Sequence, residues 1–210
     1  MASTEAALRG LIGSIVLGDV AAVSRALAES PGLVTAQVAA GATRAAAKEN
    51  FFEEIRHYVY AGDTALHLAA AAHRAILVRK LLALGAPISA QNRRGAQPLH
   101  YAVDGGPGLP GWSPTRQSAT VEALLAAGAD PNCIDKGGVT PLHRAIRNRC
   151  AAAVEALLEG GADARLKNES GSTPEQLASW TTGRSESGSA ESREQQAQIV
   201  GLLERHRYRG

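Results

Sequence analysis

Residues 138–145, GVTPLHRA, and residues 154–162, VEALLEGGA, decide the fold. Thr140 suits a helix N-cap, and Pro141 carries a preset φ at the first helical position, where its missing N–H costs nothing. His143 stands where its ring can reach back to the Thr140 hydroxyl. Ala145 is small enough to let helices approach closely. Val154, Leu157 and Leu158 share one face of a second helix at i, i+3, i+4 spacing, and Gly161 supplies a left-handed C-terminal residue. The stretch predicts a turn, two antiparallel helices and a connecting loop.

The same text recurs through the chain. GDTALHLA starts at Gly62, GAQPLHYA at Gly95 and GSTPEQLA at Gly171, so with Gly138 the glycines lie 33, 43 and 33 residues apart. VRKLLALGA from Val78 and VEALLAAGA from Val121 match the second helix, and IVGLLE from Ile199 matches it weakly. No single unit can bury its apolar face, so the units must stack.

A 33-residue unit with T-P-L-H-x-A opening its first helix resembles the ankyrin repeat. Three near-matches in phase, and a GADPN linker at Gly128–Asn132, carry the likeness most closely over Gly62–Asn168. The resemblance implies an all-α solenoid of about five helix-turn-helix units, joined by short hairpin loops and closed by capping end repeats. Its organisation would be a degenerate N-terminal unit (4–34), an inserted segment (35–60), repeats at 61–92, 93–135 and 136–168, and a degenerate C-terminal unit (169–207). Ala65, Gln97 and Glu175-Gln176 depart from the consensus, the last pair in a cap whose outer face can be polar.

Three insertions interrupt this regularity. Nine residues separate Ala69 from Val78 and Ala145 from Val154, but nineteen separate Ala102 from Val121. The extra piece, 104–118, is rich in proline and glycine and reads as a loop at the helix-to-helix turn. A Ser/Gly-rich insertion at 181–195 falls at the same place in the last unit. In 35–60, the run 45–60 reads as an added helix from the spacing of Phe51, Phe52, Ile55, Tyr58 and Val59. Most of the eight aromatic residues lie in or beside these insertions. Phe51, Phe52 and Trp112 are expected to anchor them, whereas Tyr60 and Trp180 suit packing and binding equally.

By the resemblance, hairpin tips and first helices form a concave contact face carrying Tyr60, Asp63, Arg93, Arg94, Ala96, Asp104, Lys136, Val139, Arg147, Asn148, Glu169, Ser172 and Trp180. Arginine, acid and aromatic side chains together make a protein-recognition composition, with Trp112 in the loop beside it. Arg144, Arg147 and Arg149 with Arg116 could grip a carboxylate or phosphate. Glu53, Glu54, His57 and Tyr58 on the added segment, with Arg116 on the 104–118 loop, outline an alternative pocket for a small anionic or aromatic ligand. Acid/base chemistry by Glu53, Glu54, His57 or Asp104 is the weakest reading, because E-E-x-x-H lacks the second histidine of a metal-binding helix. His67, His100 and His143 occupy one frame position, roughly 10 Å apart when stacked, too far to share an ion. No metal and no cofactor is expected.

The rest of the composition sets bounds. A net charge of +2, with 20% charged and 45% hydrophobic residues, gives no reason to expect nucleic acid or a membrane surface as partner. LIGSIVLG at 11–18 is too short for a membrane span and reads as part of an amphipathic first helix. Cys133 and Cys150 fit two reduced thiols in a cytoplasmic protein. The leading expectation is a non-enzymatic module that binds a partner protein through its concave face and inserted loops.

Overall fold

In the computed structural model of the chain, residues 2–183 and 189–207 are described, save the side chains of 2, 3 and 180–183. Five helical pairs follow one another: α1 (Ala2–Leu17) with α2 (Val20–Glu29), α3 (Ala65–Ala71) with α4 (Ala75–Ala83), α5 (Pro98–Ala102) with α6 (Pro114–Ala126), α7 (Pro141–Arg147) with α8 (Ala151–Glu159), and α9 (Pro174–Gly183) with α10 (Ala190–Arg207). The first helices pack in series, α1 on α3, α3 on α5, α5 on α7 and α7 on α9. The second helices do the same from α4 through α6 and α8 to α10. The chain is a stacked all-α solenoid.

Small residues allow the close stacking. Ala65, Ala69, Ala70, Ala102 and Ala145 are fully buried in the first-helix layer, and Leu77, Leu81, Leu124 and Leu157 fill the space between layers. Each buried leucine contributes about 1.5–3 kcal/mol by leaving water. The caps form as the sequence implied. Thr64 and Thr140 accept from the backbone N–H of His67 and His143 at 3.4 and 3.3 Å. In return, His67 Nδ1 accepts from Thr64 N at 3.1 Å, and His143 Nδ1 from Thr140 N at 3.2 Å. With Nδ1 an acceptor, the proton sits on Nε2, which donates to the next unit: His67 to Ala96 O (3.1 Å), His100 to Val139 O (2.9 Å) and His143 to Ser172 O (3.0 Å). The three histidines are therefore joints between repeats.

The turns that open each repeat are joined as well. Arg93 N donates to Ala61 O, Lys136 N to Arg94 O and Glu169 N to Gly137 O. Gly62 sits at φ +88° with Asn92 Cα only 2.8 Å from where a Cβ would stand. Both the left-handed backbone and the close neighbour require glycine there.

All three insertions depart from expectation. The run 45–60 is not a helix. Residues Lys48–Asn50 form a single 3₁₀ turn, and β1 (Phe51–Phe52) pairs antiparallel with β2 (His57–Tyr58). Aromatic side chains at pleated spacing won: Phe51 faces Tyr58 across the pair with ring centroids 4.6 Å apart, a contact an α-helix could not make. Arg56 closes the hairpin at φ +48°. The strand edge is extended by Val59 N to Asn50 O and Ala42 N to Val59 O. The 104–118 insertion is a loop only to Ser113, which caps α6 by accepting from Arg116 N, so its last residues lengthen the helix to 13 residues against 9 in α4 and α8. Likewise 181–195 is partly helical, since α9 continues to Gly183 and α10 begins at Ala190; residues 184–188 lie outside the described residues.

Candidate functional site

Two cavities meet at the inserted hairpin. The larger, about 870 Å³, is a groove on the concave face between the hairpin, the turns at Asn92–Ala96 and Asp135–Val139, and helix α7. Six arginine and lysine side chains line it (Arg56, Arg93, Arg94, Lys136, Arg144 and Arg147), with His57, against two carboxylates, Asp104 and Asp135. The structure brings Tyr60, Arg93, Arg94, Asp104, Arg144, Arg147, Asn148, His57 and Tyr58 into this one groove.

Its floor is a chain of alternating charge. His57 Nε2 donates to Asp104 Oδ2 at 3.0 Å, Arg144 reaches the same oxygen at 3.4 Å, and its other nitrogen meets Asp135 Oδ2 at 2.9 Å. Nδ1 of His57 donates to Tyr58 O at 2.7 Å. Both ring nitrogens face acceptors, which only the imidazolium satisfies. Burial works against that charge, but the hydrogen bond and charge of Asp104, with Tyr58 O and Asp63, raise the His57 pKa above its usual value. Burial likewise opposes ionisation of Asp104, yet the His57 hydrogen bond and the Arg144 charge hold it below the usual carboxylate range. With both nitrogens engaged, His57 has none free to act as a general base. Arg144 is not a free anion clamp, because both carboxylates already hold it.

Tyr60 carries the groove's aromatic wall. The guanidinium carbons of Arg93 and Arg94 lie 5.3 and 5.2 Å from its ring centre, cation–π geometry. Arg94 also donates to Tyr60 Oη at 3.2 Å, and Arg93 to Ala42 O. By contrast Arg56, Lys136 and Arg147 are exposed, and their side chains make no hydrogen bond or ion pair among the described residues.

Several expected contact residues are elsewhere. Asp63 is fully buried, not on the face. Its carboxylate accepts from Tyr101 Oη (2.9 and 3.0 Å), Asn92 Nδ2 (2.9 Å) and Tyr60 N (2.7 Å), so it braces the hairpin against the next repeat. Ser172 is buried too, and Ala96, although it lines the groove, is almost wholly buried. Glu53 and Glu54 are exposed in the hairpin turn, and no acid/base cluster forms with His57, which pairs with Asp104. Arg116 lies with the second cavity, away from Arg144 and Arg147. Trp180 belongs to α9, but its side chain is outside the described residues.

The second cavity, about 450 Å³, is walled by the hairpin, the α3–α4 turn and the 104–113 loop. Trp112 Nε1 donates to Gln117 Oε1 at 2.9 Å, and Gln117 in turn donates to Asp104 O at 3.1 Å, which fixes the indole against the core. Sequence reasoning missed His73 and Arg74 in this wall; their position in the turn facing the 104–118 insertion was the available signal. It also passed over Tyr101, Asn92 and Arg56 as parts of the site.

Among the described residues no group of three or more His, Cys, Asp or Glu side chains could hold a metal ion, and no helix is long and apolar enough to cross a membrane. A family model for ankyrin repeats in many copies matches residues 52–102 and 124–178, and one for the single ankyrin repeat matches 94–136. The chain belongs to the ankyrin repeat family, whose repeats are generally protein–protein interaction modules. No curated protein matches it.

Proposed function

We propose that the chain binds a partner protein in the concave groove, and that the bound segment presents carboxylate side chains. The observation that carries this reading is the set of exposed, unpaired cations Arg56, Lys136 and Arg147 around a groove whose own carboxylates are already neutralised. Arg93 and Arg94, stacked on Tyr60, add a rigid cationic wall that loses little side-chain entropy on binding. Long-range attraction of an acidic segment to such a face speeds encounter and weakens with salt.

The test compares wild type with Lys136→Glu plus Arg147→Glu as bait in cytosol of the source cell, with captured proteins quantified by mass spectrometry at low and physiological salt. Both residues are exposed, so the fold is retained. The reading expects a partner held by the wild type and lost at least about tenfold by the double variant, the effect of removing roughly 1.4 kcal/mol. Equal recovery by both baits overturns it.

A further inference from the structure

The second cavity has an electrostatic character that the concave groove does not explain. Arg74 and Arg116 both line it. Arg74 is held at the edge of the first helical pair: its Nη2 donates to Val16 O at 3.0 Å, and its guanidinium packs against Gly18, whose Cβ site would lie 2.8 Å from Cζ. Its Nε is buried with no hydrogen-bond partner among the described residues, and so is Nε2 of His73 beside it. Burial and the nearby Arg116 charge both lower the Arg74 pKa, so the cavity holds positive charge without relief. The carboxylates at its edge do not supply that relief, because Asp104 is taken by His57 and Arg144, and Glu54 is exposed in the hairpin turn. The same cavity is lined by the fixed Trp112 indole and by Leu109, which is 40% exposed. A buried donor left unpaired costs about 1–3 kcal/mol, and a ligand that satisfies it recovers that cost.

We infer that the cavity between the hairpin and the 104–113 loop is a binding site for a small organic anion, with an oxyanion head toward Arg74 and Arg116 and an apolar body against Trp112 and Leu109. A volume of about 450 Å³ suits one small ligand and not a peptide segment. Guanidinium groups recognise carboxylate and phosphate heads alike, so the site defines the oxyanion and its apolar carrier together. This inference stands apart from the partner-binding groove, which Arg74, Arg116 and Trp112 do not line.

Isothermal titration with benzoate, phenyl phosphate, benzyl alcohol and inorganic phosphate tests it at physiological salt. At least one aryl anion is expected to bind saturably with one site, while benzyl alcohol and inorganic phosphate bind at least about tenfold more weakly. Preference between benzoate and phenyl phosphate identifies the head group. Arg116 also donates to Gly111 O in the loop, so Arg116→Lys, which keeps a charged donor within reach, is compared with Arg116→Gln. The glutamine variant is expected to weaken the aryl anion about tenfold or more and the lysine variant less, with the melting temperature of each measured alongside. Arg147→Gln, which touches only the groove, is expected to leave it unchanged. The inference fails if neither aryl anion saturates at millimolar concentrations, if benzyl alcohol binds equally, if Arg116→Gln has no effect, or if Arg147→Gln weakens binding as much.

Discussion

His100 offers a measurement of what the inter-repeat histidines contribute. Burial, then the Arg144 charge, push its pKa down to about 4, with Val139 O, Asp135 and Asp104 opposing only in part. The unfolded chain takes up this proton near pH 6.5 and the folded chain refuses it until about 4. Stability from the neutral ring is therefore complete above pH 6.5 and falls as the solution is acidified. At about 1.4 kcal/mol per pH unit, the loss is about 2 kcal/mol by pH 5. His100→Gln isolates it. The fifth repeat already uses glutamine at this frame position, where Gln176 Oε1 accepts from Thr173 N at 2.9 Å, so the cap acceptor survives while the Nε2 donor to Val139 O is lost. At pH 7.5 the variant should be less stable by about 1–3 kcal/mol, the cost of leaving that carbonyl unpaired. By pH 5 the deficit should shrink by about 2 kcal/mol, because the variant has no proton to take up on unfolding. Urea unfolding followed by circular dichroism at both pH values measures the two gaps. His73, also near 4, and His67 and His143, lowered by burial, act in the same direction, whereas His57 acts oppositely; all four are common to both proteins and cancel. An unchanged gap between pH 7.5 and 5 would refute the reasoning, for the ring would then be protonated in the folded chain.

Removal of the Asp63 carboxylate by Asp63→Ala strands Tyr101 Oη, Asn92 Nδ2 and Tyr60 N, and should cost about 3–5 kcal/mol by the same unfolding assay. Gly106→Ala would set a Cβ 2.3 Å from Asn148 O and should lower the melting temperature sharply. Gly13→Ala in α1 meets nothing within 4 Å and should stabilise by about 0.5–1 kcal/mol. Buried Cys133 and Cys150, both pushed up to about 12, should resist iodoacetamide at pH 8 until the chain is unfolded in denaturant.

The helical pairs were legible because their signals are local. A Thr-Pro cap, a 3.6-residue apolar spacing and a closing glycine lie within one unit, and the repetition multiplies them. The 45–60 hairpin was not legible, since Phe51, Phe52, Tyr58 and Val59 fit a helical face and a pleated pair equally. The choice is made by chain far away: Ala42 bonds Val59, and Val38 bonds both Gly62 and Asp63. The groove was read in outline from hairpin-tip positions, and twelve of the singled-out residues line it. Asp63 misled because its burial depends on Tyr101, 38 residues onward. Arg144 looked free for the same reason, its partner Asp104 lying 40 residues back.

The ring-to-carbonyl joints give the solenoid a direction and a grammar. Ala96, Val139 and Ser172 each follow the glycine that opens a repeat, so every receiving carbonyl is offered from the same place. Were residues 138–170 excised, His100 would find Ser172 O standing where Val139 O had been. The array can thus shorten or lengthen by whole units without rewriting any junction, and it stops at Gln176, which has no ring to pass the bond onward.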